Sequence, residues 1–228
     1  MIFRDVQLVN AGKHSEEKLR QNRYLMAYWE NLRDIFCTFL PAKFDFNGIA
    51  KLNIYLGSFE GEDFTEAGGD GIASFRRSDF EFSNFSELSD QEKNELSLFY
   101  LTDTLLILCE RFELPSEVSE VIKEVSNKVL ENNFELQREY KKTTKWNKSR
   151  NLRAITELHH KVGGLDVYFS IVNKQGSVLT KHCLYSNAIW NTVWFELFKG
   201  TWENSNFIIE NRVGEAVFSF NSDGELVT

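Results

Sequence analysis

Residues 116–146 read S-E-V-S-E-V-I-K-E-V-S-N-K-V-L-E-N-N-F-E-L-Q-R-E-Y-K-K-T-T-K-W, and they contain the change of period that decides the fold. As far as Asn132-Asn133, the residues Val118, Val121, Ile122, Val125 and Val129 recur at the spacing of one helix face. Beyond that point apolar and polar residues alternate, the period of strands whose side chains point to opposite faces in turn. The shift near residue 133 separates a helix-rich part, 1–133, from a strand-rich part, 134–228, either as two domains or within one continuous domain.

Downstream, a meander of four strands is predicted: Phe134 to Trp146, Asn151 to Lys161, Leu165 to Ile171 after Gly163-Gly164, and Val178 to Tyr185 after Lys174-Gln175-Gly176. Ser186 is placed to cap a helix with Ile189, Val193 and Leu197 in one row, Trp190, Trp194 and Phe198 in the next, and Gly200 as its stop. Residues 187–199 also admit a strand. A closing hairpin, Asn206 to Glu210 and Glu215 to Phe220, turns at Val213-Gly214.

Upstream, Phe3, Val6 and Leu8 mark a short strand, and Ser15 can cap a helix that runs to Pro41. Ile49 to Leu56 reads as a strand, and Ile72 to Phe82 as a strand or hairpin arm after a glycine-bearing acidic loop. Ser89-Asp90-Gln91-Glu92 has capping-box spacing, in which hydroxyl and carboxylate satisfy each other's orphan backbone donors, and opens a helix to about Phe112. The expected class is α+β, with an antiparallel sheet from the C-terminal half and three long helices mainly in the N-terminal half.

The 228 residues include only two prolines, where average usage of about 5 % would give roughly eleven. With 42 % hydrophobic residues and 32 aromatics, this is the composition of a folded chain and not of a disordered tail. Arg4 and Asp5 interrupt the place where a secretory signal needs an apolar stretch, and no 18-residue window is free of charge, so neither export nor a membrane span is expected. Cys37, Cys109 and Cys183 are odd in number and sit in apolar segments, which reads as reduced, buried thiols in a cytoplasmic protein.

No catalytic signature appears: there is no G-x-S-x-G elbow, P-loop or G-x-G-x-x-G. His159 and His160, adjacent on a strand, point to opposite faces, and a strand separates them from His182 and Cys183, so no metal or cofactor is expected. A pair of carboxylates for hydrolysis is not singled out by the sequence. Charge is more informative. Residues 60–95 carry eleven acids and three bases, net −8, whereas residues 138–153 carry seven bases and one acid, net +6, within a chain of net −8.

The acidic segment, with Glu60, Glu62, Asp63, Glu66 and Asp70, reads as a solvated loop or as a face for a basic protein partner. Inhibitors of nucleases use this logic, because a nuclease site is necessarily basic. Trp202 is a candidate aromatic anchor for such a contact. The basic segment, with Arg138, Lys141, Lys142, Lys145, Trp146 and Lys148, reads as the solvent face of a hairpin or as a single-strand nucleic-acid platform, although the acidic pI of about 5.2 weighs against a general nucleic-acid binder.

The order V-Y-F-S-I-V at Val167 to Val172, a helix with Trp190 and Trp194, T-W-E-N-S-N-F-I-I-E, then Gly214, A-V-F-S-F-N at Ala216 to Asn221 and D-G-E-L resembles the ending of immunity proteins of bacterial polymorphic-toxin systems. The resemblance spans about 60 of the 228 residues. It implies a cytoplasmic, non-catalytic protein that neutralises a cognate toxin by covering its active site. The alternative is a nucleic-acid-associated accessory protein using residues 138–153.

Overall fold

The computed structural model describes residues 1–11, 16–57, 62–67 and 69–227, without the side chains of 16–24, 27, 66 and 67. The cap assigned to Ser15 and the acid Glu60 lie outside the described residues. The chain divides into two compact units, Met1–Glu135 and Leu136–Thr228. Both contain strands, so the class is α+β, but sheet is not confined to the C-terminal half.

The first unit holds β1 (Asp5–Asn10), α1 (Glu16–Phe39), β2 (Lys51–Leu56), β3 (Phe64–Ala67), β4 (Ile72–Arg77), α2 (Phe82–Glu87), α3 (Asp90–Arg111) and α4 (Ser116–Glu131). Its sheet has the order β1-β2-β4-β3 and is mixed: β1, β2 and β4 run parallel, and only β3 is antiparallel to its neighbour. Val6 and Leu8, Leu52, Ile54 and Leu56, and Ala73 and Phe75 alternate into the core. Two expectations are corrected here. The acidic loop contains the strand β3, and the segment from Ile72 to Phe82 ends as a strand at Arg77, with Phe82 starting α2.

Trp29 of α1 meets Phe80, Phe82 and Phe85 at centroid distances of 6.4–6.5 Å, and its indole N–H donates to Ser97 Oγ at 3.0 Å. That bond gives the buried ring's one polar atom a partner. The Ser89–Glu92 capping box is formed as its spacing required. At the far end of α3, Glu113 takes φ 50° while Leu114 N–H reaches the Cys109 carbonyl and Glu113 N–H that of Glu110. This is a Schellman closure with a non-glycine residue in the left-handed position. Glu113→Gly should therefore stabilise the protein by about 0.5–1 kcal/mol, seen as a raised urea midpoint at unchanged slope. The same closure ends α4, where Asn133 and Phe134 have φ 50° and 57° and Phe134 packs back into the core.

The second unit holds β5 (Leu136–Glu139), β6 (Lys145–Trp146), β7 (Leu152–Lys161), β8 (Gly164–Asn173), β9 (Val178–Ala188), α5 (Trp190–Glu196), β10 (Lys199–Glu203), β11 (Asn206–Glu210) and β12 (Ala216–Phe220). One antiparallel sheet has the order β5-β7-β8-β9, with β6 also on β7, and a second has the order β10-β11-β12. Leu158, Val167, Phe169 and Ile171 from the first sheet, Phe207, Ile209 and Phe220 from the second, Val193 from α5 and Leu197 just after it form one core.

Three expectations change. The strand expected over Phe134 to Trp146 is broken into β5 and β6 by a turn. The helix expected from Ser186 begins only at Trp190, because Ser186 Oγ and Asn187 N–H both donate to Asp166 while Asn187 takes φ 52°, so β9 continues to Ala188. Gly200 is no helix stop; it lies inside β10.

Asp166 also accepts from Lys161 Nζ at 2.7 Å. Partial burial pushes its carboxyl up, but the hydrogen bonds from Lys161, Asn187 and Ser186 and the Lys161 charge outweigh this and hold it below the usual range. A carboxylate whose folded pKa is depressed contributes stability above its unfolded value, about 3.9, and loses it as pH falls through the folded value. Asp166→Asn should lower stability at pH 7 and flatten the decline below about pH 4, measured by urea denaturation across pH.

Candidate partner-binding surfaces

The two units carry opposite charge. Met1–Glu135 has 14 basic and 25 acidic side chains, net −11, and Leu136–Thr228 has 12 and 9, net +3. The acid excess of the chain thus belongs wholly to the first unit.

Glu62, Asp63 and Asp70 are exposed, and Glu66 lies on β3 opposite Ala73. The loop is anchored: Arg76 donates to the Glu62 carbonyl, Asp63 pairs with Arg111 at 3.0 Å, and Arg111 also lies 5.0 Å from the Phe64 ring centroid. Asp63 is thereby partly neutralised, and Glu62 and Asp70 form no ion pair among the described residues. Nearby, Arg77 is buried under a fork to Asp79 (2.8 and 2.9 Å) with a further bond to Asp103 at 2.7 Å. Hydrogen bonding to Arg77 pulls the Asp79 carboxyl below its usual range.

A groove of about 400 Å³ runs between α3 and α4, lined by Glu95, Leu98, Phe99, Asp103, Leu106 and Leu130 among others. Phe99 is 55 % exposed and Leu130 46 %, so an apolar strip lies open between two carboxylates. Nothing in the sequence marked it, since Phe99 reads as part of a wide helical stripe. A second cleft, about 300 Å³ between β1 and α1, brings together Glu30 and Arg33, a pair of opposite sign and not the two carboxylates that glycoside hydrolysis uses.

In the second unit the nominated anchor Trp202 is partly covered: its indole N–H donates to the Lys145 carbonyl at 3.0 Å and its ring packs edge-on against Phe207. The open aromatics are elsewhere. Trp146 is 43 % exposed beside Arg153, and Trp194 and Phe198, expected in one helix row, are 41 % and 39 % exposed: Val193 is the buried residue of α5, and Phe198 lies beyond the helix, which ends at Glu196. Arg138 lies 5.3 Å from the Trp190 ring centroid. Lys141, Lys142, Lys145 and Lys148 are exposed on the connection from β5 to β7.

The three cysteines differ in exposure. Cys109 is buried, but Cys37 is partly covered and Cys183 exposed, against the expectation of three buried thiols. Burial first, then the Asp5 charge, pushes the Cys37 thiol up to about 12, where it stays protonated at neutral pH. Among the described residues no group of three or more His, Cys, Asp or Glu is arranged to hold a metal ion, and no helix is long and apolar enough to cross a membrane. No protein-family model, curated protein or solved structure matches the chain.

Proposed function

We propose that this chain is a non-catalytic cytoplasmic binding protein that neutralises a cognate bacterial toxin by covering its active site. The observation that carries the reading is the gathering of net charge −11 on one compact unit that also exposes an apolar groove rimmed by Glu95 and Asp103. Such a surface suits a basic partner: the carboxylates accelerate encounter, and an apolar anchor supplies dwell time. The C-terminal resemblance to immunity proteins supports the same reading.

The test is co-expression with the product of the gene directly upstream. Growth protection and a complex that co-elutes on size exclusion are expected; a toxic upstream product with neither protection nor complex would remove the proposal. With a complex in hand, the triple reversal Glu62→Lys, Asp70→Lys, Glu95→Lys should slow association at least about tenfold at low salt, with a smaller effect at high salt.

A further inference from the structure

We propose that the second unit carries a binding face for single-stranded nucleic acid, built from the connection between β5 and β7, the end of α5 and Arg212. Most cations on the strands of this unit are already matched: Arg153 with Glu139, Lys161 with Asp166, Lys181 with Glu157 and Lys199 with Glu210. Lys141, Lys142, Lys145 and Arg212 have no carboxylate within ion-pair distance among the described residues. They are therefore available to an outside anion.

These cations are interleaved with open rings. Lys142 Nζ lies 5.5 Å from the Phe198 ring centroid, Arg212 lies 5.0 Å from the same centroid, and the Arg212 guanidinium also sits over the Trp194 ring. The row reads lysine, phenylalanine, arginine, tryptophan. Its parts are held by backbone: Gly200 N–H donates to the Lys142 carbonyl, Trp202 to that of Lys145, Arg212 N–H to that of Phe195, and Arg212 Nε to that of Trp194. The turn, α5 and the loop after β11 are thus fixed to one another before any ligand arrives, which reduces the ordering cost of binding.

The alternation selects the ligand. Phosphates need cations spaced along a path, and bases need ring faces; a single strand supplies both, with about 1–3 kcal/mol per stacked base and a strong salt dependence. A duplex hides its base faces, and an acidic peptide would use only the cations. All of these residues belong to the second unit, whereas the toxin reading rests on the first, so the two proposals are independent.

The experiment is titration of the full chain with labelled dT12 and U12, followed by anisotropy and tryptophan fluorescence at about 50 and 200 mM salt. Saturable binding with a Kd of about 1–100 μM at the lower salt, tryptophan quenching, and weakening at the higher salt are expected. Lys141→Glu, Lys142→Glu, Lys145→Glu together should weaken binding at least about tenfold. Trp194→Ala should weaken it about five- to tenfold while leaving the salt slope unchanged. Absence of saturable binding, indifference to both variants, or equal competition by polyglutamate or a 12-base-pair duplex would overturn the proposal. Circular dichroism of each variant, unchanged from the parent, keeps a folding failure from passing as support.

Discussion

Phe169→Ala should cost about 3–5 kcal/mol, the usual range for deleting a fully buried phenylalanine ring. Phe169 has no exposed surface and stacks on Phe220 at 4.0 Å and on Phe207 at 5.5 Å, so its ring joins the two sheets of the second unit. It sits in β8, which is bonded on both sides, to β7 and β9. The surrounding backbone therefore has little freedom to collapse into the cavity. Total stabilities of about 5–15 kcal/mol make this a large share. Tryptophan fluorescence during urea denaturation is a suitable readout, because four of the five tryptophans lie after residue 135. Phe195→Ala, at a partly exposed ring outside that core, should change stability by less than about 1 kcal/mol. Equal effects at the two positions would contradict the packing of the two sheets.

How far the fold could be read depended on whether its determinants were local. The start of α3 was legible because Ser89 and Glu92 cap the helix with their own backbone, three residues apart. The end of α4 at Asn132-Asn133 was legible for the same reason. By contrast β3, with the sequence F-T-E-A, exists because β4 pairs with it, and no periodicity in four residues announces that. The parallel pairing of β1 with β2 and of β2 with β4 is likewise a property of the connections, not of the strand sequences. Ser186 looks like a cap in sequence, yet Asp166, twenty residues earlier, takes its hydroxyl into the β8–β9 pairing.

The surfaces divide in the same way. Charge adds along the chain, so the contrast between the acidic and basic segments survived folding as −11 and +3 on the two units. Aromatic exposure does not add in this way. Trp202 lies between the polar Thr201 and Glu203 and Trp194 between the apolar Val193 and Phe195, yet it is Trp202 that is tied down, by the Lys145 carbonyl, whereas Trp194 is left open beside Arg212. Which ring stays available is decided by partners about 57 and 18 residues away in sequence, beyond the reach of any local pattern.

Gly200→Ala separates the local reading from the tertiary one. If Gly200 closed a helix in the left-handed region, alanine would cost about 1 kcal/mol. In β10 the position has no such backbone demand; the demand comes from its neighbours. A Cβ there would lie 2.5 Å from Phe207 Cζ and 2.9 Å from Thr143 Cα, the first a fully buried ring and the second backbone. Phe207 cannot retreat without disturbing Phe169, on which it stacks, and Thr143 cannot move without straining the bond from Gly200 N–H to the Lys142 carbonyl. We expect a loss of about 3 kcal/mol or more, at the upper end of overpacking effects in cores. The double variant Gly200→Ala, Phe207→Leu should recover only part of it, because the contact with Thr143 Cα remains. Gly176→Ala is the internal comparison: φ is +85° and nothing lies within 4 Å of the new Cβ, so only the backbone cost of about 1 kcal/mol is expected. A Gly200→Ala effect no larger than that of Gly176→Ala would place the glycine outside the contact between β10, β11 and the turn at Thr143.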